Sequence, residues 1–219
     1  MGAAALREQF DSFLGGPLDW RARPLPDTVP SGVAEIALPR GGLVEIVGPA
    51  SSGRTSLLLA ILAAAGARQE ACALVDAEDA FDPGSAAAAG VRLERLLWVR
   101  CGHNAEHALK AADLLIQGGG FGLAILDLGD TPPAAARRIS LTSWFRLRRA
   151  VEHTPAVLVT VARQSLASAC ASLVLECGRE CAVWSGAAPP SRLLRGLRAR
   201  ATSTHRSRTC SPVFTAAAL

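Results

Sequence analysis

Residues 43–66 read LVEIVGPASSGRTSLLLAILAAAG. The run LVEIV (43–47) reads as a strand and TSLLLAILAAAG (55–66) as a helix, and between them lies Gly48-Pro49-Ala50-Ser51-Ser52-Gly53-Arg54-Thr55-Ser56. This is G-x-x-x-x-G-[K/R]-T with a strand before it and a helix after it. Gly48 and Gly53 let the backbone curl until its N–H groups point inward at a phosphate. The following helix adds positive potential, and Thr55 offers a hydroxyl to Mg²⁺. Arg54 stands where Lys makes the pattern most specific. It keeps the charge, but its planar fork is longer and points differently, so the expectation is nucleotide binding with a poor match to γ-phosphoryl transfer. A Gly/Ser-rich turn with no ligand is the plain alternative.

The same alternation continues outward. CALVDA (72–77) precedes a short Ala-rich helix (85–89), LLWV (96–99) precedes AEHALKAADLLIQ (105–117), and FGLAILDL (121–128) precedes AARRISLTSWFRLRRAVEH (135–153). AVLVTVA (156–162) leads into SLVLEC (172–177) and CAVWSG (181–186), which read as an edge hairpin turning at Gly178–Glu180. Strands apolar on both faces and alternating with helices imply an α/β fold whose mostly parallel sheet is covered by helices on both sides. Residues 1–42 read as a helix (3–14) and a Pro-rich connector (17–39) without regular structure. Residues 43–188 form the core, and 189–219 read as a basic, flexible tail.

Two carboxylates complete the constellation. Asp127 closes Leu123–Asp127, the form of a strand whose Asp holds Mg²⁺ through water. Glu78, just past the second core strand in Asp76-Ala77-Glu78-Asp79, is placed to orient an attacking water. Solvated strand-end acids are the plain alternative for both.

The 219 residues carry a net charge of +4, and half are apolar, enough for a sizeable core. Arg supplies 22 of the 23 basic residues, and no acid follows Glu180. Residues 189–219 hold six Arg and no acid, whereas the first 188 hold 17 basic and 19 acidic side chains. The tail reads as a DNA-attracting arm, a partner-binding segment or a solubilising extension, and its deletion is expected to leave thermal stability nearly unchanged. The N-terminus lacks the pattern of a signal peptide, Leu6 replaces the Ser or Thr of a myristoylation signal, and the longest apolar run (57–67) is too short to span a bilayer. A cytoplasmic protein with six reduced thiols and no membrane partner is expected. His103-Asn104-Ala105-Glu106-His107 fits an inverted zinc-protease pattern but reads as an ordinary helix onset. Arg137, Arg138, Arg146, Arg148 and Arg149, with Trp144 and Phe145, read as a solvated helix face or as a surface for DNA or an acidic partner.

LPRGGLVEIVGPASSGRTSLLLAILAAA, LVDAEDAFDPGSAAAAGV and LLWVRCGHNAEHALKAADLLIQGGGFGLAILDLGD together resemble the RecA recombinase family over roughly residues 28–177. The resemblance implies a RecA-like P-loop NTPase core using ATP and Mg²⁺. It puts a catalytic Glu at Glu78, an adenine-contacting Asp at Asp82, and Glu45, Pro49 and the two serines in the phosphate-loop segment. The departures imply the function. The family's Lys is Arg54, its adenine-stacking Tyr is Ser85, and the chain has no Tyr. The family's two long DNA-holding loops are reduced to GDTPPAA (129–135) and ARQSLASAC (162–170), Gln164 is displaced from the family's polar Asn-Gln, and its large C-terminal domain is not expected here. The combination is similar to ImuA-type accessory proteins of bacterial mutagenesis cassettes. That similarity implies a role in DNA-damage tolerance and SOS mutagenesis through contacts with a Y-family polymerase-like partner or RecA, with homo-oligomers and weak or absent ATP hydrolysis. A DNA-dependent ATPase and a SulA-like cell-division inhibitor are the alternatives.

Overall fold

Period-two alternation sorts the strand side chains between two cores. In β3 (Leu43–Val47), Val44 and Ile46 face one core and Leu43 the other; in β4 (Cys72–Asp76), Cys72 and Leu74 oppose Ala73 and Val75. β6 (Leu123–Asp127) and β7 (Val157–Ala162) divide in the same way. A sheet buried on both faces needs strands apolar on both faces, and these strands meet that demand. The computed structural model describes residues 28–186, 192–204 and 209–217. The expected helix at 3–14 and most of the Pro-rich connector lie outside the described residues.

The first core lies under α1 (Arg54–Ala67), which presents Leu57, Leu58, Ile61 and Leu62 to the sheet. The second lies under α3 (Ala105–Gly118) and α5 (Leu141–Val151), through Leu109, Leu115, Trp144 and Leu147. Two shorter helices, α2 (Pro83–Ala88) and α4 (Pro133–Ala136), follow β4 and β6. The single helix expected over 135–153 is therefore two, because Ser140 restarts the chain as the N-cap of α5, its side chain accepting from Ser143 N–H. Trp144 is buried in the core and Arg148 donates to the carbonyls of Ala169 and Cys170, so neither belongs to a free basic face.

With β5 (Leu96–Arg100), β8 (Leu173–Ser185), β9 (Leu193–Thr204) and β10 (Thr209–Cys210), the sheet runs β10-β9-β8-β3-β7-β6-β4-β5, and β11 (Val213–Ala217) also pairs with β9. The strands from β8 through β5 are parallel, while β9 is antiparallel to β8, β10 and β11. The fold is therefore the expected α/β class with a mostly parallel sheet and an antiparallel edge.

Three further expectations are corrected. Within the connector, β1 (Thr28–Pro30) and β2 (Ala37–Pro39) pair as a small antiparallel ribbon, with each Pro at a strand end. The edge hairpin does not turn at Gly178–Glu180: β8 runs straight through these residues, bulging between Arg179 and Cys181, and pairs with β9. The stretch read as a flexible tail supplies β9, β10 and β11. Its alternation is the reason, since Ala199 and Ala201 are fully buried while Arg198 and Arg200 face outward. Small residues on one face and charged ones on the other suit a half-covered strand.

Candidate phosphate-binding site

The parallel strands β3, β4, β6 and β7 deliver their carboxyl ends to one edge of the sheet, where open α/β sheets place their ligands. Past β3, the phosphate loop climbs into α1. Pro49 and Ser51 are exposed, and Ser51 holds a left-handed backbone (φ 58°). Gly53 is the N-cap at φ 92°, and no side chain caps the helix. A Cβ on Gly53 would lie 2.6 Å from the Ala199 Cβ and 3.2 Å from Phe214, so β9 and β11 form a wall beside the loop. Ser52 is buried with its Oγ unpaired, Thr55 is exposed, and Ser56 is half-buried. An uncapped helix start and an orphaned buried hydroxyl in one loop fit a phosphate, which would satisfy both.

Arg54 is only 7% exposed. Its Nη1 donates to the Gly129 carbonyl at 3.1 Å, and from the loop after β7 Arg163 Nε donates to the same oxygen at 3.3 Å. Gly129 N–H in turn donates to Asp127 Oδ1 at 2.8 Å. Burial pushes the Asp127 carboxyl up to about 6; Asp76 and Asp130 push the same way, while the Gly129 N–H and Arg54 oppose them. Thr131 Oγ1 is buried and unpaired in the same loop. Thr55 and Asp127 are the residues that the sequence pattern would turn toward Mg²⁺. The fit is poorer than for phosphate, because a guanidinium already neighbours the carboxylate.

Glu78 stands at the carboxyl end of β4, its Oε2 2.9 Å from His103 Nδ1. The loop carrying it is organised by Asp76, whose buried carboxylate accepts from the N–H groups of Glu78, Ala80 and Phe81 and from Trp98 Nε1. Asp82 caps α2, accepting from Ser85 N–H at 2.7 Å, and this bonding with Ser85 lowers its pKa. Asp82 and Ser85, which the resemblance puts on the adenine side, are thus bonded to each other. On the far side of the site, Glu45 is fully buried in β3 and accepts from Ser165 Oγ and from the N–H groups of Leu166 and Ala167. Three residues to which the sequence reading gave no part here adjoin this site: Arg163, His103 and, as an organiser, Asp76. For Asp76 the signal was an acid in the register position of Asp127 on the next strand.

The described residues contain no group of three His, Cys, Asp or Glu that could hold a metal ion. His103 points to Glu78 rather than to a partner within the His-x-x-Glu-His run. All six cysteines are free; Cys72, Cys170 and Cys177 are buried, and burial pushes the thiols of Cys72 and Cys177 up to about 12. No described helix is long and apolar enough to cross a membrane.

A glycine-bearing loop between the first core strand and an uncapped helix, with an Asp ending the parallel strand next but one, is the arrangement of a phosphate-loop protein of the α/β class. Residues 28–134 match the RecA N-terminal domain. Protein RecA of Rickettsia massiliae is 32% identical over 138 residues, covering 57% of this chain and 40% of the relative. Protein RecA of Rhodospirillum rubrum is 47% identical over 90 residues, covering 41% and 24%, and that of Ectopseudomonas oleovorans 45% over 92 residues, covering 41% and 26%. Together with the fold, these matches support a RecA-like family for the chain. It spans less than half the length of these relatives.

Proposed function

We propose that this is a RecA-like accessory protein of DNA-damage tolerance, of the ImuA type, acting in SOS mutagenesis through contacts with a Y-family polymerase-like protein or with RecA. One observation carries the reading. The phosphate-loop end of the sheet is intact, while the two connections beside it are short and tied down. After β6, residues 128–132 reach α4 within five residues, with Gly129 held between Asp127 and two arginines. After β7, Glu45 pins Ser165, Leu166 and Ala167. By the resemblance, these are the places where the recombinases carry long DNA-holding loops, so strand exchange lacks its instruments here.

Nucleotide binding supports rather than drives this role. The loop's N–H groups, Ser52, Thr55 and Ser56 would hold phosphates. Glu78 would orient water, with His103 fixing its carboxylate. The protein contacts have a surface to use. A groove of about 570 Å³ between α3 and the 135–146 segment carries Lys110, Arg138 and Arg146, with Leu141 (52% exposed) and Phe145 (46% exposed) close by on α5. A cytoplasmic location fits this role.

The test uses purified components. Binding to RecA–single-stranded DNA filaments, or to the polymerase-like partner, should be measurable by equilibrium sedimentation. It should fall about tenfold on Phe145→Ser, the order expected for losing one exposed anchor. Strand exchange or ATP turnover at the level of a RecA control, without partner binding, would overturn the reading.

A further inference from the structure

Two guanidinium groups converge on one carbonyl oxygen at the end of β6. Arg54 arrives from the phosphate loop and Arg163 from the loop after β7, donating to Gly129 O at 3.1 and 3.3 Å. The convergence depends on Gly129 lacking a side chain, since a Cβ there would lie 2.9 Å from Asp127 Oδ1 and 3.2 Å from Arg54 Nη1. Arg54 is buried, whereas Arg163 remains half-exposed and also reaches toward Asp130 at 3.7 Å.

A neutral carbonyl is a modest acceptor for two charged forks. Each guanidinium keeps further N–H donors in a rigid plane, and a phosphate oxygen is both charged and geometrically matched to that plane. Arg54 is the first residue of α1, the helix whose opening N–H groups no side chain caps. The two side chains bring two permanent positive charges to the strand end at which Asp127 would otherwise hold a divalent ion. A lysine at position 54 would supply a single compact charge and leave the rest of the neutralisation to the ion.

We propose that Arg54 and Arg163 together take the place of the divalent cation, so that the loop holds the terminal phosphates of a nucleoside di- or triphosphate without Mg²⁺. The inference rests on the nucleotide reading of the loop and adds Arg163 to it as a phosphate-binding residue.

The experiment is equilibrium binding of a fluorescent ATP analogue to the full chain, in EDTA and in Mg²⁺, for wild type, Arg54→Lys, Arg163→Gln and Arg163→Lys. Wild type should bind within about threefold in the two buffers, whereas Arg163→Gln should lose about tenfold in EDTA, the size of one charge-assisted contact. Arg163→Lys should recover part of that loss, and Arg54→Lys should become Mg²⁺-dependent. Thermal midpoints unchanged in the Arg163 variants keep the comparison clean, because that side chain is half-exposed. Wild-type binding that collapses in EDTA overturns the inference and leaves the nucleotide reading standing, as does an Arg163→Gln variant that binds like wild type. No binding in either buffer overturns both.

Discussion

The phosphate loop and the loops flanking it treat their polar groups in opposite ways. Past β4, the four donors from Glu78, Ala80, Phe81 and Trp98 end on the single carboxylate of Asp76. Past β7, Glu45 does the same for Ser165, Leu166 and Ala167. In the phosphate loop, Ser52 Oγ is buried without a partner and α1 starts without a side-chain cap. Unpaired buried polar groups cost stability, so a fold keeps them where something else is to satisfy them. The flanking loops gather their donors on one carboxylate each, although Asp79 Oδ1 is also left unpaired past β4. The phosphate loop has no such acceptor and keeps its hydroxyl and helix start open for a ligand. The wall of β9 and β11 sides with the flanks, because it closes the loop from the antiparallel end of the sheet.

The contrast can be broken at the wall. Removing residues 192–219 takes Ala199, Ala201 and Phe214 away from Gly53 and the first core. Loss of cooperative unfolding is expected, a cost beyond the roughly 3–5 kcal/mol of one large core truncation. A thermal midpoint within a few degrees of wild type would show that the wall carries no weight and would restore the flexible-tail reading. Next in size is Glu45→Ala. It leaves two backbone N–H groups and a hydroxyl near the core without their acceptor, at about 3–5 kcal/mol. Urea unfolding measures the loss, and amide exchange should rise first at residues 163–170. Protection confined to its wild-type pattern would mean that the loop holds itself.

The sequence made one of these regions legible and hid the other, for a physical reason. The phosphate loop is a local device whose parts lie within nine residues, Gly48 to Ser56, so spacing alone identifies it. Asp127 and Glu78 follow from strand ends that are continuous apolar runs. Strand β9 is defined by its ladder with β8 and by packing against Gly53, far away in sequence, and its Leu-Arg-Ala-Arg-Ala alternation (197–201) combines weak strand formers with charges. The pattern was visible, but only pairing with β8 and burial against Gly53 give it meaning. Arg163 was missed for the same reason. It follows the apolar run of β7, and nothing local says that its guanidinium meets that of Arg54 on Gly129. Asp82 was legible from the resemblance, whereas its capping of α2 follows from Asp82-Pro83 at a helix start.

A smaller effect belongs to the acid that ends β6. The Asp127 carboxyl titrates near 6 when folded, against an ordinary 3.8. The native state therefore holds its proton more tightly than the unfolded chain, and stability falls as pH rises from about 4 through 6 before levelling. The span corresponds to about 3 kcal/mol. Asp127→Asn should flatten this limb in urea titrations between pH 4 and 8, with the variant gaining on wild type toward pH 8. A limb that persists in the variant would assign the titration to another group.

Smallest in stability, and sharpest as a test of the contrast, is Ser52→Ala. In the flanks, deleting a hydrogen-bonding group strands its partners; here there is none to strand, and the buried hydroxyl is itself unsatisfied. Removing it should leave stability unchanged or raise it by up to about 1 kcal/mol. Nucleotide binding should weaken nonetheless, because the hydroxyl is lost from the cradle it would line. The two measurements must part company for the argument to hold. A variant that loses stability would reveal a structural bond for Ser52, and one that binds nucleotide as wild type does would show that its hydroxyl does not face the phosphate.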